Sequence, residues 1–293
     1  MSDREDVEAG PADDLLREAD LRVLGRIASA SNATLLCELG DTGERCVYKP
    51  VRGEAPLWDF PDGTLAGREV ASYLVSEALG FGVVPPTVLR DGPVGPGMVQ
   101  RWIDSREETD GDETDGDETD GDETDGDETV DTPDLVDIFD DGSVPDGYLP
   151  VVTGLVDDRS APDGYREVVL AHADDERLWR MAVLDVLINN ADRKGGHVID
   201  GANGRVYGVD HGICLHAEPK LRTVLWGWAG RRAPDALVAP VAALADRPRD
   251  LVALRELITR AEVDALVRRA RAFVAHPVMP QPSSRRPIPW PPF

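Results

Sequence analysis

The sequence predicts an α+β fold of two lobes around a cleft, with strands concentrated in the first lobe and helices in the second. Three observations predict it. Short apolar runs separated by turn residues fill residues 21–103, apolar stripes at helical spacing fill 177–275, and a tract almost without apolar residues lies between them. A chain of 293 residues is long enough to bury a sizeable core across both lobes.

In the first part, Asp13 to Asp20 reads as a short helix and Leu21 to Ala28 as a strand. Ala33 to Leu39 and Arg45 to Pro50 follow as strands, joined by the turn Gly40-Asp41-Thr42-Gly43. Leu65 to Leu79 is a helix, because Ala66, Val70, Tyr73, Leu74 and Ala78 recur at a period near 3.6. Gly80 ends it, since glycine accepts the left-handed conformation that closes a helix. Val83 to Leu89 and Met98 to Ile103 are two more strands.

Four copies of Thr-Asp-Gly-Asp-Glu run from Thr109 to Glu128. A repeat without an apolar residue cannot bury a face, so it predicts a solvated, disordered insertion rather than a solenoid. The spacing also departs from a calcium-binding loop. Beyond it the chain is expected to turn helical: Arg177 to Asn189, Asp235 to Ala245, Leu251 to Arg260 and Val263 to Ala275. His197 to Asp200 and Arg205 to Val209 form a hairpin around Gly201-Ala202-Asn203-Gly204. The expected boundaries are 1–103 for the first lobe, 104–147 for the insertion, 148–275 for the second lobe and 276–293 for a Pro-rich tail.

Composition narrows the function. The formal net charge is -25, but 104–146 holds 21 acidic residues against Arg106 alone, leaving about -5 for the rest. An acidic chain repels nucleic-acid backbones, so nucleic acid is not an expected partner. No apolar run reaches the length of about 18 residues that spans a bilayer, and no signal peptide is evident, so a cytoplasmic protein is expected. Cys37, Cys46 and Cys214 fit neither a disulfide framework nor a zinc spacing and read as small core residues. His211, Cys214 and His216 lack a fourth ligand and read as packing or hydrogen-bonding groups.

The sharpest signal is Asn190-Ala191-Asp192-Arg193-Lys194-Gly195-Gly196-His197, followed by the hairpin and then by Gly208-Val209-Asp210-His211-Gly212. Antiparallel strands bring their outer ends together, so Asp192 and Asp210 converge. Phosphoryl transfer needs such a pair: one carboxylate for the proton of the attacking hydroxyl, another for a divalent metal. Arg193 and Lys194 would set positive charge beside the transferred phosphate.

This pattern resembles the catalytic and metal-binding loops of phosphatidylinositol 3-/4-kinase-like proteins, and HipA-type kinases are similar in plan. The resemblance implies a bilobal protein-kinase-like fold binding ATP with Mg²⁺ or Mn²⁺. It makes Asp192 the catalytic residue, with Lys194 beside it as the expected catalytic cation, and Asp210 a metal ligand. His197 stands where the family has an asparagine ligand, and an imidazole favours softer metals than magnesium. The resemblance also makes Lys49 the phosphate-contacting lysine, with Glu69 as its ion-pair partner. The turn Ala28 to Ala33, with Ser31 and Asn32, would cover the phosphates, and Met98 to Ile103, with Gln100 and Trp102, would be the hinge that meets adenine. The acceptor would be a protein, a lipid head group or a small molecule. A catalytically degenerate nucleotide-binding module is the alternative.

Overall fold

The computed structural model describes residues 11–27, 32–106, 133–161 and 164–293. The acidic repeats and Ser31 lie outside the described residues.

The first lobe is a five-stranded antiparallel sheet of β1 (Leu21–Arg26), β2 (Leu35–Leu39), β3 (Arg45–Pro50), β4 (Thr87–Gly92) and β5 (Gly95–Arg101), in the order β1-β2-β3-β5-β4. Side chains alternate between faces along each strand. Register places Cys37 opposite Cys46 and Tyr48 opposite Val99. These four pack beneath Leu16 of α1 (Pro11–Glu18) as one apolar core. The other face carries Leu36, Val47, Lys49 and Met98, and Met98 packs on Ala66 and Val70 of α2 (Leu65–Ala78).

Helix α2 starts firmly. Thr64 Oγ1 accepts a hydrogen bond from Gly67 N–H, and the Glu54 carboxylate accepts from Leu65 and Ala66 N–H at 2.9 and 2.8 Å. It ends, as the sequence predicts, at Gly80 with φ +64°. Nearly every face of α2 is buried, including the charged Arg68 and Glu69, so each charge requires a partner.

The second lobe is built on α3 (Glu176–Ile188), α4 (Asp235–Asp246) and α5 (Arg260–Ala275). Leu178, Met181, Leu184 and Leu187 of α3 are fully buried in a core that includes Trp228, Leu237 and Leu266. The hairpin of β9 (Val198–Asp200) and β10 (Val206–Gly208) follows the expected pattern. The helix expected over Leu251 to Arg260 is instead a 3₁₀ stretch from Pro248 to Glu256. Helix α5 then begins at a capping box, in which Thr259 and Glu262 satisfy each other's backbone N–H groups.

One region differs from the sequence reading. Residues expected to be insertion or the start of a helical lobe form a three-stranded antiparallel sheet of β6 (Val136–Asp140), β7 (Tyr148–Asp157) and β8 (Tyr165–Ala173), in the order β6-β8-β7. A strand therefore begins inside the expected 104–147 insertion, and the 148 boundary cuts a sheet. Pro150 and Gly154 weaken the strand pattern of β7. The structure tolerates the proline because β7 is an edge strand and Pro150 sits at a register shift, where no ladder N–H is needed. No helix among the described residues is long and apolar enough to cross a membrane.

Candidate active site

The carboxylates are positioned by two left-handed turns. Helix α3 ends at Asn189 with φ 54°, and the Asn189 side chain holds the turn by donating to His216 and Glu218 carbonyls and accepting from Lys220 N–H. The chain then enters the loop 190–197, where Asn190 Oδ1 accepts from Asp192 N–H at 2.9 Å. After the hairpin, Asp210 adopts φ 58°, a conformation that aspartate tolerates better than most residues.

Lys49, Glu69, Asp192 and Asp210 line one pocket together with Asn32 and Gly212. Lys49 Nζ donates to Glu69 Oε1 at 2.7 Å and to Asp210 Oδ1 at 2.8 Å, joining the two lobes. Burial alone would depress the lysine pKa, but Glu69 and Asp210 outweigh it and hold Lys49 protonated well above its usual range. Burial likewise opposes ionisation of Asp210, yet Lys49 and His197 keep its carboxyl well below the usual range. Burial pushes Glu69 up, countered by Lys49 and by the His211 N–H that donates to Oε2 at 3.0 Å. Burial also pushes Asp192 up to about 6, with Lys194 opposing and Asp210 reinforcing the shift.

His197 Nδ1 lies 3.0 Å from the Asp192 carbonyl oxygen. That oxygen only accepts, so Nδ1 carries the proton. Burial lowers the His197 pKa to about 4, so the ring is neutral and Nε2 bears a lone pair. This Nε2 faces Asp210 Oδ2 at 3.5 Å. An imidazole nitrogen and a carboxylate oxygen facing each other with no proton between them form a donor pair suited to a divalent cation. No cluster of three His, Cys, Asp or Glu forms a metal site among the described residues, so the remaining coordination positions would fall to substrate oxygens and water.

Other sequence-predicted residues lie in or around this pocket or beyond it. Asn32 reaches the pocket rim, where Oδ1 accepts from Ala55 N–H at 2.9 Å. Lys194 Nζ stands 3.9 Å from Asp192 Oδ2. Gln100 is buried and its amide donates to Thr87 Oγ1 at 2.8 Å. Trp102 lies under the Arg45 guanidinium and lines a different cavity of about 610 Å³, with Arg205 and Tyr207. Its backbone N–H donates to the Arg45 carbonyl at 3.0 Å, which occupies one expected hinge donor.

Arg193 requires a correction. It does not face the pocket: its side chain has 0% exposure, as does that of Asp185, with which it pairs at 3.0 Å. Its guanidinium also donates to the carbonyls of His197 and Val209 at 3.2 Å and lies 2.6 Å from His211 Nε2. It thus ties helix α3, the loop 190–197 and the strand leading to Asp210 into one unit. The sequence signal for this hub was Asp185, a charge in the apolar run of α3 that needs a buried partner.

No protein-family model matches the chain. Protein Rv2133c of Mycobacterium tuberculosis (strain ATCC 25618 / H37Rv) is 53% identical over 284 residues, which cover 95% of this chain and 94% of that protein. Among solved structures, the Golgi casein kinase superposes with a TM-score of 0.50 at 13% identity, over 94% of this chain and 75% of that one. The Golgi casein kinase with Mn/ADP bound gives 0.49 at 12% identity, over 90% and 74%. The first of these likenesses shows that the fold is kinase-like, a two-lobed α+β arrangement. At such identity it shows the fold alone.

Proposed function

We propose that this chain, which belongs to the family of protein Rv2133c of Mycobacterium tuberculosis, is a phosphotransferase that moves a phosphoryl group from ATP to a hydroxyl acceptor. The observation that carries this reading is the Lys49–Asp210 ion pair at 2.8 Å, with Glu69 behind the lysine and Asp192 in the same pocket. On a kinase-like fold these groups match the parts that phosphoryl transfer needs.

Asp192 orients the acceptor hydroxyl and takes its proton; a carboxylate poised near neutrality is suited to both. Lys49, kept charged by Glu69, contacts phosphate oxygens. Lys194, next to Asp192, offsets negative charge on the transferred group. Asp210 and His197 would hold a divalent cation, which would supply positive charge to offset that of the phosphates. The pocket at the carboxylates measures about 40 Å³, room for an ion or a water rather than a triphosphate. In the nucleotide complex Lys49 exchanges its bond to Asp210 for bonds to phosphate oxygens. Leu36 and Val47, half-buried register partners on the Lys49 face, offer an apolar ceiling for the base.

Asp192-Arg193 followed by Asp210-His211-Gly212 supports kinship with phosphatidylinositol 3-/4-kinase-like and HipA-type enzymes. The imidazole at His197 supports Mn²⁺ as well as Mg²⁺ as the metal. Protein, lipid head-group and small-molecule acceptors all suit a hydroxyl brought to Asp192. That same imidazole, in place of an amide oxygen, favours a second reading, a nucleotide-binding module without catalysis.

ATP turnover with Mg²⁺ or Mn²⁺, compared between the unaltered protein and Asp192→Ala, tests the proposal. Turnover that disappears in the variant supports it, and equal turnover in both excludes Asp192 as the catalytic carboxylate. No turnover in either, with nucleotide binding intact, leaves the binding module. Product mass separates phosphoryl transfer from nucleotidyl transfer.

A further inference from the structure

We infer that the Pro-rich segment Pro287–Phe293 is a positioning element of the loop carrying Asp192, acting through Pro292 and Phe293; the inference rests on the phosphotransfer reading of that loop. The segment is held at both ends. Thr223 N–H and Trp226 Nε1–H both donate to the Pro287 carbonyl, at 3.1 and 2.9 Å. At the other end, Gly195 N–H donates to the Pro292 carbonyl at 2.8 Å. The Phe293 ring lies directly on Gly195: a Cβ there would stand 2.1 Å from ring atom Cε1. Any side chain at 195 would have to displace the ring.

The strand of contacts reaches the catalytic loop from two sides. Arg193 N–H donates to the Arg222 carbonyl and Val224 N–H to the Arg193 carbonyl, both at 3.1 Å. Residues 222–226 are thus bonded to Arg193 on one hand and to Pro287 on the other. Between the anchors, Pro289 is buried and Ile288 packs on the main core.

The chemistry of both partners explains the arrangement. Gly195 and Gly196 sit between Asp192 and His197, and glycines leave that stretch more conformational freedom than any other residue would. Prolines are the reverse: with φ fixed they hold one backbone shape at little entropic cost, and they offer carbonyl acceptors without competing N–H donors. A stiff segment laid across a flexible loop removes the motion that would separate Asp192 from the pocket. A displacement of about 1 Å at a reacting group costs on the order of a hundredfold in rate.

Amide hydrogen exchange over residues 190–197 and ATP kinetics, measured on Phe293→Ala, Gly195→Ala and Phe293→Tyr, test the inference. Phe293 is 45% exposed, so its replacement leaves the core in place. In Phe293→Ala and Gly195→Ala, exchange at the 195 amide should rise about tenfold, the value of one lost hydrogen bond. The kcat should fall between about tenfold and a hundredfold, with KM for ATP unchanged because Lys49 and Glu69 are untouched, and Phe293→Tyr should restore both readouts. Unchanged exchange in the two disruptive variants overturns the inference, as does faster exchange with normal kcat. An unaltered protein without turnover sinks the phosphotransfer reading instead, while exchange at Gly195 still decides whether the segment holds the loop.

Discussion

Replacing Arg193 by methionine tests the hub behind the two carboxylates. The substitution leaves Asp185, with 0% exposure, without its cation, though Asn190 Nδ2 still donates to Asp185 Oδ1 at 2.9 Å and Thr223 Oγ1 to Oδ2 at 3.3 Å. It also removes the Arg193 donor from the Val209 carbonyl and one of two donors from the His197 carbonyl, which keeps the Val209 N–H at 3.1 Å. Breaking one side of a buried ion pair costs about 3–5 kcal/mol, because the surviving charge is uncompensated. Asp185→Leu should cost a similar amount for the reciprocal reason. The double variant removes both charges with roughly matched volume, so its loss should be well below the sum. A double-mutant cycle read by urea unfolding should give a coupling of about 2–3 kcal/mol. Activity should not recover with stability, since the Val209 carbonyl next to Asp210 still lacks its Arg193 donor. If each single variant costs below about 1 kcal/mol, or the double variant costs the full sum, then Arg193 is not the hub that its geometry indicates.

Three further outcomes are expected. His172, fully buried, accepts from Gly227 N–H at 3.0 Å, and burial lowers its pKa to about 4. The unfolded chain binds that proton near pH 6.5, so stability is complete above 6.5 and falls as pH drops toward 4, by about 3 kcal/mol at the limit. Urea midpoints across that window should show the decline, and His172→Gln should show a shallower slope. Thr259→Ala breaks the capping box of α5 and should cost about 1 kcal/mol, read as a lower unfolding midpoint with unchanged urea dependence. Deleting Thr109 to Glu128 should leave folding and nucleotide affinity intact, because shortening a polar loop changes its closure entropy by less than about 1 kcal/mol; insoluble product or lost nucleotide binding would contradict this.

What was legible in the sequence was local. The strand ending in Lys49, the helix carrying Glu69 and the hairpin between Asp192 and Asp210 each announce themselves by a period or a turn within a few residues. Two antiparallel strands of fixed length leave little choice about where their ends meet. The three-stranded sheet was not legible, because Pro150 and Gly154 weaken the strand pattern and only its edge position in the folded sheet makes the proline harmless. Arg193 was misread for a related reason. Its neighbour Asp192 does line the pocket and Lys194 stands beside that carboxylate, and sequence adjacency suggested the same for the arginine. Its direction was set 8 residues earlier by Asp185, a carboxylate already committed to the interior by the apolar face of α3. A buried charge obliges the fold to deliver a counter-charge, and the nearest arginine in a loop that must turn back toward that helix was the one able to reach it. The Phe293–Gly195 contact lay furthest from view: it joins residues about a hundred positions apart, and a glycine in a polar loop gives no sign of what rests on it until the fold is seen.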